Sequence, residues 1–321
     1  MKNGNGAGIA IVDILKACAC ITIFLAHCNT ILPGEWKFLT VFGQDLGNNL
    51  FFMVSGFSLA PSIIKTEWCD APAWYLKRLV RILPITVIVY AITYFTGYFS
   101  FSDLSQLFVV FIYPTLYWFI EAILVFYIVL FLLAKLTDTR IQTVICLALS
   151  IGYIALTGRH ERFYLIGLIS MIEGYMIRTA LDNKKAFVSA KYMATGMIAA
   201  LAIFLIAERF DGTYVATAVI LLSAESFGLL ALIAGYLAND RINTVFDDRK
   251  VLRGVIKYIG NMALPLYLVQ SFCSGYIGFW IGLHIDFPLS FLVNFIVSWG
   301  LGTVLYFISK ACTSLYGKIT V

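Results

Sequence analysis

Apolar residues run along this chain in long stretches, each wide enough to cross a bilayer, and the residues between stretches are charged or turn-forming. About 20 consecutive apolar residues make one transmembrane helix. Such windows fall at 9–32, 46–64, 82–100, 115–136, 141–157, 163–181, 187–207, 214–238, 260–283 and 287–309. They predict an all-α integral membrane protein, a bundle of about ten transmembrane helices. The stretch near 106–114 is too short to span and reads as a loop or interfacial turn. No internal repeat and no linker divides the chain, so residues 1–321 read as a single polytopic membrane domain. Asp13 and Lys16 interrupt the first run and no small-residue cleavage site follows it, so it reads as a span and not as a signal peptide.

Composition sharpens this picture. Of 321 residues, 61% are apolar and 13% charged, where soluble domains carry about a quarter charged, which leaves no room for a separate soluble catalytic domain. The 23 lysines and arginines orient the bundle. With ten spans, 18 of them fall on the side that holds both termini and 4 on the other (Lys37, Arg159, Arg162 and Arg209), with Lys16 inside the first span. Basic loops stay inside, so both termini of this multi-pass protein are expected in the cytoplasm. Topology explains the net charge of +5, and no basic face for nucleic acid is implied. The seven cysteines (18, 20, 28, 69, 146, 273 and 312) show no CxxC spacing and read as buried thiols, neither disulfides nor metal ligands. No metal cluster, Walker loop, dinucleotide fingerprint or nucleophile elbow is present in the sequence.

An ionisable side chain inside a span costs about 2.5–3.5 kcal/mol to insert and therefore marks a cavity or a site. The first window has three. Lys16 and His27 are 11 residues apart, within about 20° of three whole helical turns, and Asp13 lies about 40° off His27; the three line one stripe. Asp13 and Lys16 also have the i,i+3 spacing of a simple ion pair near the inner interface. At the mouth of the third window, WYLKRLVRILP brings Lys77, Arg78 and Arg81 together. Arg78 and Arg81 share a helix face, which suits either a positive-inside anchor or a bidentate phosphate clamp. Ser55 and Gly56 permit close helix approach, and Gly278 and Gly282 form a GxxxG packing motif. His160 stands among Arg159, Glu161 and Arg162 in an outer loop, where solvation accounts for it.

Several segments resemble one family in order. DILKACACITIFLAH (Asp13–His27) resembles the first-helix signature of the membrane acyltransferase-3 family, in which a basic residue precedes a histidine by eleven positions. FFMVSGF (Phe51–Phe57) is similar to its FFxxSGF block and KRLVRILP (Lys77–Pro84) to its RRxxRilP block. YWFIEAILVFY resembles the W-x8-Y block with Trp118 and Tyr127, and RFYLIGLISMIEGYMI and GNMALPLYLVQ resemble later segments. Three positions depart from the pattern: Lys16 replaces the usual arginine, Ile123 stands where many members have glutamate while Glu121 lies two residues earlier, and Gln270 ends the YLxH segment in place of histidine.

The resemblance implies an acyl-CoA-dependent O-acetyltransferase. It moves acetyl from acetyl-CoA, a substrate and not a resident group, to a hydroxyl of a glycan or glycolipid such as a surface polysaccharide or lipopolysaccharide. His27 then acts as general base or acyl carrier, Lys16 stabilises developing negative charge, and Asp13 holds Lys16. Lys77, Arg78, Arg81 and Ser55 become donor-binding candidates, and Trp118, Glu121, Tyr267 and Gln270 substrate-binding candidates. The expected partners are acyl-CoA, the acceptor and membrane lipids, without nucleic acid or metal. A secondary transporter with an intramembrane Asp13/Lys16/His27 site is the competing class. It ordinarily brings inverted repeats and broken helices, whereas no repeat is visible and Pro265 is the only proline expected deep in a span.

Overall fold

The computed structural model describes residues 10–97, 118–182, 190–210, 212–277 and 285–319. The expected turn at 106–114 and the Gly278/Gly282 motif lie outside them. Among the described residues there are helices and no strands. In chain order they are α1 (Ala10–His27), α2 (Asn48–Lys65), α3 (Ala71–Phe95), α4 (Trp118–Leu136), α5 (Thr139–Ala155), α6 (Arg162–Asp182), α7 (Ala190–Ala207), α8 (Tyr214–Leu237), α9 (Asn239–Asp248), α10 (Lys250–Phe272) and α11 (Leu289–Ile319). Their ends follow ordinary capping chemistry. Asp138 accepts from Ile141 N at 2.9 Å to start α5, and Thr213 accepts from Ala216 N at 3.1 Å to start α8.

Each predicted window carries a helix, but six helices among the described residues are long and apolar enough to cross a membrane: α1, α3, α4, α6, α8 and α11. Three of the others fall short for visible reasons. Asn48, Asn49, Ser55, Ser58 and Ser62 dilute α2, α5 has only 17 residues, and α10 spends its first two turns on Lys250, Arg253 and Lys257. Helix boundaries differ from the sequence expectation, most of all at α3, α10 and α11. The third helix begins at Ala71, so Lys77, Arg78 and Arg81 lie inside it, and Pro61 of α2 and Pro84 join Pro265 as intrahelical prolines. The basic residues had masked this start, because apolar windows end at charge while helices need not.

The chain groups into two compact units. One holds residues 1–21, 44–64 and 132–261, the other 22–43, 65–131 and 262–321.

In the first unit α2 and α6 meet backbone to backbone. A Cβ added to Gly56 would fall on the Met171 carbonyl, and one added to Gly174 would fall on the Met53 carbonyl and 3.0 Å from Phe57 N. Only glycine permits that approach at both points. α8 closes on α2 at Gly228, where a Cβ would lie 2.8 Å from Met53 Sδ and 3.0 Å from Asn49 Oδ1. The Asn239 side chain accepts from Ala10 N at 3.0 Å and caps α1.

In the second unit the end of α1 packs Phe24 edge-on against Phe291 and Phe295 of α11, at ring separations of 6.3 and 5.8 Å. α3 is tied to α11 by Ser309 Oγ, which donates to the Arg81 carbonyl at 2.8 Å. Asn294 Nδ2 reaches the Cys28 sulfur at 3.5 Å. The cysteines are free thiols; Cys20, Cys28, Cys146 and Cys273 are buried as expected, but Cys18 and Cys69 are exposed.

Candidate active site

His27 is the last residue of α1 and half-buried. Its Nδ1 lies 2.9 Å from the Ile23 carbonyl, one turn back in the same helix. A carbonyl only accepts, so Nδ1 carries the hydrogen, and in the neutral ring Nε2 keeps its lone pair. Tyr267 of α10 meets the imidazole edge-on at 6.1 Å and 84°. Tyr267 in turn stacks on Phe119 at 4.3 Å, and Trp118 stands against Phe119 at 6.0 Å. Three residues expected in the site, His27, Tyr267 and Trp118, thus meet in one aromatic row through Phe119, which the sequence did not mark. Gln270, one turn beyond Tyr267, is buried, and its amide nitrogen has no hydrogen-bond partner.

A second cluster in the same unit carries the positive charge. The Arg78 guanidinium lies 3.7 Å over the Trp74 ring and its Nη1 donates to the Trp74 carbonyl. Trp74 is held by Phe131 at 5.2 Å and Tyr127 at 6.5 Å. Tyr127 is within electrostatic reach of both Arg78 and Arg81, so the W-x8-Y tyrosine and the paired arginines converge. Lys77 and Arg81 are exposed, and Arg78 is half-buried. Trp74 was hidden in a motif dominated by charge. Its i,i+4 spacing to Arg78 was the available signal. Glu121 is within electrostatic reach of Tyr90.

Asp13, Lys16 and Ser55 belong to the first unit. Asp13 and Lys16 are half-buried where α1 passes Gly260, whose Cβ would sit 3.1 Å from the Asp13 carbonyl and 3.1 Å from Lys16 Cβ. Ser55 donates to the Phe51 carbonyl of its own helix at 2.7 Å, which is a packing role.

The first unit also holds polar groups that sequence reasoning passed over. Arg162, expected in a solvated outer loop, instead opens α6 and is 5% exposed. It pairs with the buried Asp45 at 3.6 Å, and Tyr153 donates to Asp45 Oδ1 at 2.8 Å. Its neighbour His160 is exposed, as expected. Arg159 bonds to Glu161 at 2.9 Å and holds that carboxyl below the usual carboxylate range. Glu173 and Glu225 lie in the middle of predicted spans. The rule that singled out Asp13 and Lys16 applies to them equally, and was the missed signal.

The apolar helices define an integral membrane protein built largely of spans. The particular family follows from comparison: the model of the acyltransferase-3 family, described as an acyltransferase domain, matches residues 9–309. The chain belongs to that family and is a membrane acyltransferase. No curated protein and no solved structure matches the chain.

Proposed function

We propose that the protein transfers acetyl from acetyl-CoA to a hydroxyl of a cell-surface or lipid-linked saccharide, with His27 as the general base. The observation that carries the reading is the Nδ1 hydrogen bond to the Ile23 carbonyl, which supports Nε2 as the basic nitrogen. A sugar hydroxyl is a poor nucleophile until its proton is taken. In attack on a thioester the proton passes to Nε2 as the C–O bond forms, and collapse of the tetrahedral adduct expels the thiolate, which recovers the proton as coenzyme thiol. Arg78 and Arg81 bind donor phosphates, a task that suits two guanidiniums on one helix face. Ten spans with both termini in the cytoplasm of a bacterial inner membrane give the donor access from within and the acceptor access from outside.

The test is transfer of labelled acetyl from acetyl-CoA to isolated surface glycan by the purified full-length protein. Only one imidazole hydrogen bond, internal to α1, and an edge contact are lost in His27→Gln, so stability should change by no more than about 1–2 kcal/mol. The rate should fall about 10²–10⁴-fold. A folded His27→Gln variant with near-normal transfer would remove His27 as base, and label bound to His27 in the wild type would make it an acyl carrier instead.

A further inference from the structure

We propose that Glu173 and Glu225 form a proton-binding pair in the interior of the first unit, a site apart from the acyl-transfer chemistry. The two carboxyls, one on α6 and one on α8, lie within hydrogen-bonding reach of each other. Glu225 is 6% exposed, and the Oε2 atom of each carboxyl is buried without a donor. Their neighbours are Ser170, Asn49 and the Cys146 thiol of α5. Among the described residues neither carboxyl faces a lysine, arginine or histidine.

Counting hydrogens shows what is missing. Ser170 Oγ lies 2.6 Å from the Ile166 carbonyl and 2.8 Å from Glu225 Oε1. A hydroxyl has one hydrogen, while a carbonyl and an ionised carboxylate both only accept. A proton on Glu225 completes the chain: the carboxylic O–H donates to Ser170 Oγ, and Ser170 donates to Ile166. The contact between the two carboxyls likewise requires a hydrogen between them. Asn49 supplies an independent sign. It is wholly buried, its amide is aimed at Glu225, and neither of its polar atoms completes a hydrogen bond. An amide brings donors as well as an acceptor, so its unmade bonds mark an incomplete polar network around the two carboxyls.

A proton suits this place better than a metal ion. The α2–α6 crossing at Gly56 and Gly174 presses the surrounding backbones together, and no group of three His, Cys, Asp or Glu among the described residues has metal-holding geometry. The titratable groups facing the pair are few. α5 brings Cys146, α2 brings the neutral Asn49, and α7, the other neighbour of α8, has no titratable side chain from Met193 to Ala207. The charged residues of α9 begin about four turns beyond Glu225.

The consequence has a definite sign. The folded chain holds a proton that the unfolded chain releases above the ordinary carboxylate range, so stability falls as pH rises, up to about tenfold in the folded-to-unfolded ratio per pH unit for one proton. The experiment compares full-length wild type with Glu173→Gln/Glu225→Gln in detergent. At neutral pH, infrared spectra of the wild type should show the carbonyl stretch of a buried protonated carboxyl, shifted by deuteration and lost in the double variant. The melting temperature of the wild type should fall more steeply than that of the double variant between about pH 5 and about pH 8. Should the double variant fail to fold, Glu173→Gln alone must weaken or shift the same band. A band unchanged by these substitutions overturns the proposal. So does a wild type that lacks the band and is stabilised by added sodium or calcium, which would make the pair a cation site.

Discussion

If Arg78 grips a donor phosphate, Trp74 is what aims it. The guanidinium stacks 3.7 Å over the indole and bonds to the carbonyl of the same residue, so Trp74→Leu removes the stack while leaving the charge. A stacked guanidinium at a half-buried site gains about 1–2 kcal/mol from the ring, and losing it should weaken donor binding about 5- to 30-fold. Removing the charge with Arg78→Gln forfeits a charge-assisted hydrogen bond of about 1.5–3 kcal/mol, or about 10- to 100-fold. Arg78→Lys keeps the charge but loses the planar fork, and should fall between wild type and Arg78→Gln. Since Trp74 acts through Arg78, the double variant should resemble Arg78→Gln and not the product of the two losses. The assay is the initial rate against acetyl-CoA concentration at saturating acceptor, with melting temperature measured alongside, because Trp74 is 8% exposed and its ring also supports Phe131 and Tyr127. Donor KM should rise with little change in kcat or acceptor KM. Folded variants whose donor KM stays at the wild-type value would show that the stack merely anchors α3.

Two further outcomes follow from the fold. Asp45→Asn or Arg162→Met alone should cost about 3–5 kcal/mol by stranding a buried charge, whereas the two together should cost much less; thermal unfolding of the four proteins measures this, and additive losses would mean that the 3.6 Å pair is not coupled. Single cysteines at Arg249 and Arg209, in a background where exposed Cys18 and Cys69 are replaced by serine, should label from the cytoplasmic and the outer side respectively; labelling of both from one face would break the ten-span topology.

Hydropathy revealed the helices because a span must be apolar along its whole length, but it misplaced the start of α3, where Lys77, Arg78 and Arg81 sit inside the helix on faces that keep two of them exposed. His27 stood out in the sequence because it shares a helical stripe with Asp13 and Lys16 inside an apolar run. The row that frames it did not: Phe119 looks like any span phenylalanine until Tyr267, far along the chain, is seen stacked on it. Arg162 was misread for a related reason, since its partner Asp45 comes from a short helical segment, Gly43–Gly47, more than a hundred residues earlier. Glu173 and Glu225 were visible as charges in lipid-length runs, yet only the packing of α6 on α8 makes them a pair.

If His27 is the base, the tether of the imidazole to the Ile23 carbonyl means that it takes its bearings from its own backbone. A base oriented by a neighbouring helix goes astray whenever that neighbour shifts. Here the reference frame travels with the ring, and a disturbance elsewhere in the protein displaces substrates relative to a base that still points the same way. On that reading the characteristic failure is wasted donor: water, small enough to reach Nε2 without guidance, takes the place of a misplaced acceptor, and the acyl group is hydrolysed instead of transferred.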